Sequence, residues 1–186
     1  MTTTTRLRRL LVAAALATTA AAGLLAPAAD ARPPTPVPAD VAVPAGNRLF
    51  LVAHAEGVQI YSCTATTGAP AWAFVAPRAD LHLGPWLTIG THYAGPTWEL
   101  LDGSKVVAKR DTGVTVDPTA IPWLRLSKVS SQPGRWGDLL GATTFIQRIN
   151  TVGGLAPAAA ECTPATVGTV SEVPYTADYT FWRAAR

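Results

Sequence analysis

The fold class of this chain can be read from one stretch near its C-terminus, Val173-Pro174-Tyr175-Thr176-Ala177-Asp178-Tyr179-Thr180-Phe181. Apolar or aromatic residues occupy the odd positions, and polar residues or proline occupy the even ones. Side chains alternate between the two faces of a β-strand, so this pattern predicts a half-buried strand with an aromatic inner face.

Similar runs recur between glycines and prolines throughout the chain. We predict strands at Leu49–Ala53, Val58–Cys63, Ala71–Val75, Leu87–His92, Ile121–Val129 and Thr143–Val152. Residues 97–110 predict a hairpin that turns at Asp102-Gly103, a strong two-residue turn signal. Within Thr143–Val152 some apolar residues also fit a short helix, but its β-branched residues favour a strand. Together these segments predict an all-β single domain, an antiparallel sandwich or barrel of short strands.

Composition supports one globular domain and argues against nucleic acid as a partner. The 186 residues are 48% hydrophobic and 15% charged, which suits a chain that buries a core. Residues 32–186 carry 12 Lys and Arg against 11 Asp and Glu. A protein that grips phosphate backbones usually has a clear basic excess, so we expect no nucleic acid partner.

The N-terminus predicts export. Arg6, Arg8 and Arg9 precede an Ala/Leu-rich run that ends at the small-residue motif Ala29-Asp30-Ala31, so residues 1–31 fit a secretory signal peptide. An uncleaved anchor is the alternative, but the run is mostly Ala, so we expect cleavage and no stable membrane anchor afterwards. Residues 32–44 are proline-rich and predict an extended tether, which leaves residues 45–186 as the domain. The expected location is secreted, extracellular or in the cell envelope.

The two cysteines suggest one structural cross-link. Cys63 and Cys162 form an even set in a chain expected to reach an oxidising compartment, which favours a disulfide between them. A buried free thiol or a reactive cysteine is the alternative. Neither cysteine lies in a Cys-His signature of the kind that activates a nucleophile.

Familiar catalytic motifs are absent from the sequence, including a nucleophile elbow, a phosphate loop and a dinucleotide fingerprint, so we expect no cofactor. The densest polar cluster contains His92, Glu99 and Asp102, which together could supply a general acid and base. In a plainer interpretation Asp102 forms the turn and Glu99 pairs with a basic residue. His54, His82 and His92 lack the close spacing of a metal site, and we expect no metal.

Six tryptophans are a generous number for a domain of this size. Exposed indole rings stack on sugars and other planar ligands, whereas buried ones fill a core. Trp86, after Gly84-Pro85, and Trp136, after Arg135, lie in loop contexts and are candidate ligand contacts. Trp98, within the polar cluster, is a third candidate.

An ordered series of motifs resembles a known group of proteins. The series contains Gly57-Val58-Gln59-Ile60-Tyr61-Ser62-Cys63, Pro77 to Leu81, Gly90-Thr91-His92, Gly95-Pro96-Thr97-Trp98-Glu99, Asp102-Gly103-Ser104, Ile121-Pro122-Trp123-Leu124, residues 146–154, Ala156-Pro157, Cys162 and residues 173–179. On these residues the chain resembles the exported domain-of-unknown-function family 3455. The resemblance implies an exported domain that contains both cysteines, and it implies no established reaction.

The sequence therefore favours a non-enzymatic exported binding module, whose partner is a glycan, a small ligand or another secreted protein. Two alternatives stay open. One is a secreted hydrolase that uses His92 with Glu99 or Asp102, and the other is an inhibitor of a secreted enzyme.

Overall fold

The structure is a computed structural model that describes residues 36–185, so the expected signal peptide at 1–31 lies outside the described residues. Eight strands account for most of the domain: β1 (Asn47–Thr64), β2 (Ala71–Leu83), β3 (Leu87–Tyr93), β4 (Thr97–Leu100), β5 (Lys105–Val114), β6 (Trp123–Gln132), β7 (Thr143–Gly153) and β8 (Val170–Ala184). The described helical segments are two three-residue 3₁₀ turns, Ala39–Val41 and Ala159–Glu161. Across residues 36–185, no helix combines the length and the apolar character that crossing a bilayer requires.

The strands form one closed antiparallel barrel in chain order, in which β8 returns to pair with β1. This confirms the all-β prediction and resolves its two options in favour of a barrel. Consecutive connections lie at alternate ends of such a barrel. One end, which we call the mouth, carries the β1–β2, β3–β4, β5–β6 and β7–β8 connections. The other end, which we call the base, carries the remaining three connections and both ends of the folded chain.

The first strand is longer than predicted. Leu49–Ala53 and Val58–Cys63 are parts of one continuous strand, β1, rather than two short strands. Gly57 lies between the two predicted segments, where glycine usually indicates a turn. Here it pairs with Ala79 of β2 and Tyr175 of β8, and a Cβ atom at this position would collide with the carbonyl oxygen of Arg78. Gly57 therefore permits close strand packing in the barrel wall.

The aromatic face predicted for the last strand points into the barrel. Tyr175, Ala177, Tyr179 and Phe181 are all buried, as the alternation in the sequence indicates. Towards the base the interior is filled by aliphatic and aromatic side chains, and the β6–β7 connection adds the fully buried Leu140. Small barrels of eight strands can be filled by side chains or can hold one ligand. Because side chains fill the interior towards the base, the open space in the barrel lies at the mouth.

A disulfide joins Cys63, at the mouth end of β1, to Cys162 in the β7–β8 connection, which confirms the predicted pair. The amide of Cys63 donates to the carbonyl of Thr169, and its carbonyl accepts from the amide of Gly168. The long connection 154–169 is thus held against the mouth by a covalent bond and two hydrogen bonds.

The proline content of residues 32–44 predicts a tether outside the fold, but the described part of this segment packs on the barrel wall. Val41 is fully buried against Trp123 and Ile149 on the outer surface. The carbonyl oxygen of Val41 accepts a hydrogen bond from Gln147 Nε2 at 2.6 Å. Arg125 donates to the carbonyl oxygen of the next residue. Val41 ends the short 3₁₀ turn, so its carbonyl group and that of the next residue have no partner within the turn and can accept from donors on the barrel wall.

Candidate functional site

A cavity of about 450 Å³ opens at the mouth of the barrel. This volume lies within the usual range for small-molecule sites, roughly 300 to 1,000 Å³. Rings and aliphatic side chains form most of the wall, and a few polar groups interrupt it. The lining residues are Gln59, Tyr61, Phe74, Val75, Pro77, His92, Ala94, Gly95, Pro96, Trp98, Arg110, Ile121, Pro122, Leu124, Leu126, Arg148 and Tyr179.

His92 and Trp98 form a stacked pair in the cavity wall. They are register partners on β3 and β4, so both side chains point inward, and their rings lie 4.3 Å apart at 13°. His92 Nδ1 lies 2.8 Å from the carbonyl oxygen of Thr97, which can only accept, so Nδ1 carries the proton of the neutral ring. The pKa of His92 is lowered to about 3, chiefly by burial and to a smaller extent by the charge of Arg148, although the hydrogen bond to Thr97 opposes both effects. The ring is therefore neutral at physiological pH, with Nε2 unprotonated.

Two buried hydrogen-bond donors of the cavity lining have no partner among residues 36–185. Trp98 is 1% exposed and Gln59 is 2% exposed, yet neither Trp98 Nε1 nor Gln59 Nε2 donates to a described residue. A buried donor without an acceptor costs about 1 to 3 kcal/mol. Such groups are rare in native proteins and call for an explanation at each occurrence. Both residues line the same cavity.

The cavity also carries positive charge. Arg148 is half-buried on β7, and its Nε and Nη2 atoms both donate to the carbonyl oxygen of Pro122, at 3.1 and 2.8 Å. Arg110 lies exposed near the mouth end of β5. Among the described residues, no carboxylate forms an ion pair with either guanidinium. The lining residues include no acidic side chain, so the cavity is a cationic site with apolar walls.

Three tyrosine hydroxyl groups lie within the barrel near Arg148. Burial raises the pKa of Tyr61, Tyr175 and Tyr179, and the charge of Arg148 partly opposes this in each. All three phenols are therefore neutral at physiological pH. Tyr61 donates to the carbonyl oxygen of Gly154 at 2.7 Å, which connects the cavity wall to the β7–β8 connection.

Glu99 lies on the outside of the barrel, away from His92. Tyr93 donates to Glu99 Oε2 at 2.7 Å, and Lys105 Nζ lies 3.1 Å from the same oxygen. The hydrogen bond from Tyr93 and the charge of Lys105 lower the pKa of Glu99, and partial burial opposes them. Glu99 thus belongs to a polar group on the outer wall.

Asp102 lies at the base, in the β4–β5 turn, where Gly103 adopts a φ of +84°. Asp102 Oδ1 accepts from the amide and the hydroxyl group of Ser104, and Oδ2 accepts from the amide of Leu139. Burial raises the pKa of Asp102, but these hydrogen bonds outweigh it and hold the pKa below its usual value. The Asp102 carboxylate thus holds the β6–β7 connection over the base by a hydrogen bond. The structure does not bring Asp102 together with His92 or Glu99.

We predict that Asp102→Ala lowers the free energy of unfolding by about 1 to 3 kcal/mol, because the Leu139 and Ser104 donors lose their acceptor. Asp138→Ala, at an exposed position in the same connection, should change it by less than about 0.5 kcal/mol. Urea denaturation of both variants measures the difference. Equal stabilities would contradict the fastening role.

The exposed tryptophans are at the opposite end from the cavity. Trp86, in the β2–β3 turn, is 91% exposed, and Trp136, in the β6–β7 connection, is 74% exposed. The guanidinium carbon of Arg135 lies 4.8 Å from the centre of the Trp136 ring. Both connections lie at the base, so among the three candidate tryptophans only Trp98 lines the mouth cavity. The ligand contacts predicted for Trp86 and Trp136 stay predictions.

The histidines do not form one group. His54 and His82 are register partners with outward-facing side chains, and His54 Nδ1 lies 2.9 Å from Asp178 Oδ1. His92 lies inside the barrel. Within residues 36–185, no group of three or more His, Cys, Asp and Glu side chains could hold a metal ion.

Sequence reasoning missed the cavity residues Gln59, Arg110 and Arg148. A signal for two of them was present in the strand alternation. Gln59 shares a face with Tyr61 and Cys63 in a predicted strand, and Arg148 shares a face with Ile146 in another. A polar residue on the apolar face of a strand points into the interior, where it requires a partner.

The fold and the site together define an eight-stranded antiparallel barrel with a cationic, largely apolar cavity at one end. The chain belongs to a family described as "Protein of unknown function (DUF3455)", whose model matches residues 44–85 and 82–183. This match confirms the resemblance found in the sequence. No curated protein and no solved structure matches the chain.

Proposed function

We propose that this protein is an exported, non-enzymatic binding module that holds one small ligand in the mouth cavity. The observation that carries this proposal is the pair of unpartnered donors, Trp98 Nε1 and Gln59 Nε2, in the wall of a 450 Å³ cavity. Ligand sites are typically apolar clefts with a few convergent polar groups, and this cavity has that composition.

The chemistry of the cavity supports binding rather than hydrolysis. His92 is neutral, with a pKa of about 3, and its hydrogen bond within the described chain goes to the Thr97 carbonyl oxygen. A general base works best when its pKa lies near the operating pH, and an activated nucleophile requires a hydrogen bond to its base. The two carboxylates suggested by the sequence, Glu99 and Asp102, are held by other partners.

The disulfide supports the exported location. Such bonds persist in oxidising compartments and are rare where cellular thiols are kept reduced. The Cys63–Cys162 bond also holds one of the four connections that frame the mouth. A stable frame reduces the ordering cost of ligand binding.

Titration with N-phenyl-1-naphthylamine, a neutral dye that fluoresces in apolar surroundings, tests the proposal. We expect saturable binding of one dye per chain. Leu126→Trp adds bulk to the buried cavity wall and should weaken binding by more than about tenfold. Ala94→Trp, at the exposed rim, provides a second obstruction if the first variant does not fold, as judged by circular dichroism.

The matched control is Leu101→Trp, which adds the same side chain at an exposed position of the base. It should bind the dye like the wild type. Absence of saturable binding of both this dye and its anionic analogue 8-anilinonaphthalene-1-sulfonate, or equal binding by folded Leu126→Trp and Leu101→Trp, would overturn the cavity as the binding site.

A further inference from the structure

We infer that the ligand of the mouth cavity is a small organic anion, with an oxyanion group at Arg148 and Trp98 Nε1 and an apolar, ring-containing body along the wall. This inference rests on the proposed function and specifies the chemical class of the ligand.

The first support is unbalanced charge. Arg148 is half-buried, donates through Nε and Nη2 to the Pro122 carbonyl oxygen and lies beside the Tyr179 hydroxyl group, so these described partners are neutral. A carbonyl group satisfies hydrogen bonds but does not neutralise a guanidinium. Charged groups out of water are costly unless they are paired. An anion in the cavity would supply the missing charge.

The second support is the number of donors without acceptors. Trp98 Nε1 can only donate, and its residue lines the same cavity as Gln59, whose Nε2 also has no acceptor among the described residues. An oxyanion has several lone pairs and can accept from more than one donor at once. Charge-assisted hydrogen bonds of this kind are about twice as strong as neutral ones. A ligand without an exposed oxygen acceptor would leave these donors unsatisfied.

The third support is the shape and polarity of the remaining wall. Trp98 stacks on His92, Tyr179 packs edge-on against Trp98 at 5.3 Å, and Tyr61 packs edge-on against Phe74 at 5.7 Å. Aliphatic side chains of β6, Leu124 and Leu126, complete this wall. Rings favour stacked or edge-on contacts with other rings, so the body of the ligand is expected to be aromatic or similarly apolar.

Arg110 provides a second positive charge at the entrance. It is exposed at the mouth and forms no ion pair within the described residues. Charges that line an apolar cleft increase the local concentration of oppositely charged ligands. Arg110 should therefore mainly increase the association rate of an anionic ligand, whereas Arg148 should stabilise the ligand once it is bound.

The experiment compares two dyes with the same anilinonaphthalene body. 8-Anilinonaphthalene-1-sulfonate carries an anionic group, and N-phenyl-1-naphthylamine does not. In Arg148→Gln the dissociation constant of the anionic dye should rise about 10- to 100-fold, the range for loss of a charge-assisted hydrogen bond. That of the neutral dye should change less than about threefold. Arg148→Lys, which retains the charge, should restore part of the affinity for the anionic dye.

The matched control is Arg135→Gln, which removes one positive charge from an exposed loop at the base and should leave both dissociation constants unchanged. Binding of the neutral dye with no effect of Arg148→Gln on the anionic dye would overturn the anion inference and leave the proposed function intact. Failure of both dyes to bind the wild type would overturn the proposed function itself. If Arg148→Gln does not fold, the test uses folded Arg148→Lys and Arg110→Gln instead. In each of them we compare the ratio of the dissociation constants of the anionic and neutral dyes with the wild-type ratio. An unchanged ratio in both variants would contradict the inference.

Discussion

Replacing Cys63 and Cys162 together by alanine is expected to lower the free energy of unfolding by about 4 to 5 kcal/mol. The bond spans a sequence separation of 99 residues, so it restricts the unfolded chain over most of the domain. In the chain-entropy model a loop of about 100 residues corresponds to about 4.7 kcal/mol. This would be a large part of the total for a domain of ordinary stability, about 5 to 15 kcal/mol.

Urea denaturation of the double variant, and of the wild type with and without a thiol reductant, measures this effect. The reduced wild type keeps both buried sulfur atoms, so its stability isolates the cross-link from the loss of side-chain packing. Both forms should unfold at much lower urea concentration than the oxidised protein. A loss below about 1 kcal/mol in the reduced wild type would contradict a major stabilising role for the bond.

The second large effect concerns pH and His92. The pKa of His92 is about 3 in the folded protein, against 6.5 for an ordinary histidine, because burial disfavours the charged ring. Between these two values the unfolded chain binds the proton and the folded protein does not. The free energy of unfolding should therefore fall as the pH decreases from 6.5, by about 1.4 kcal/mol per pH unit. At pH 4.5 the loss relative to pH 7 amounts to about 2.5 kcal/mol.

The measurement is urea denaturation at pH 7 and at pH 4.5 for the wild type and two variants. His92→Gln removes the titrating ring, so its loss of stability over this range should be smaller than that of the wild type by about 2.5 kcal/mol. His82→Gln removes a histidine from the outer wall, and its free energy of unfolding should fall between pH 7 and pH 4.5 by as much as that of the wild type. An equal pH dependence in wild type and His92→Gln would show that the ring is protonated in the folded barrel.

The strands could be predicted from the sequence because their pattern is local. Tyr175, Tyr179 and Phe181 occur at every second or fourth position, and this alternation alone indicates which face is buried. Closure of the sheet into a barrel depends on pairing between β1 and β8, which are more than a hundred residues apart. No local pattern specifies that pairing, so a sandwich and a barrel were equally consistent with the sequence.

Gly57 is a single residue whose role also depends on contacts that local sequence does not specify. Gly57 is compatible with a turn in local sequence, and only its close contact with the backbone of β2 explains its position inside a long strand. The Asp102-Gly103 turn is the opposite case, because the turn conformation itself requires this glycine, with a φ of +84°. The sequence therefore predicted the turn between β4 and β5 and failed to predict the continuity of β1.

The candidate site was only partly predictable. His92 and Trp98 were both singled out, because they lie in a conspicuous polar cluster, but their neighbours in space come from distant strands. Arg148 is on β7, and Gln59 is on β1. The polar residues of this cluster do not share one site. Side-chain alternation places Glu99 on the outer wall, and the β4–β5 turn places Asp102 at the base. Their closeness in sequence suggested a shared site, but successive side chains of a strand point to opposite faces of the sheet.

The central claim is that a ligand enters the barrel and meets the indole group of Trp98. The ¹H–¹⁵N spectrum of the labelled protein should contain six indole signals, one for each tryptophan, and Trp98→Phe identifies the relevant one. On titration with 8-anilinonaphthalene-1-sulfonate we predict that the Trp98 indole proton shifts downfield, while those of Trp86 and Trp136 stay in place. A spectrum in which Trp86 and Trp136 shift and Trp98 does not would contradict the account, because it would move the binding surface to the base.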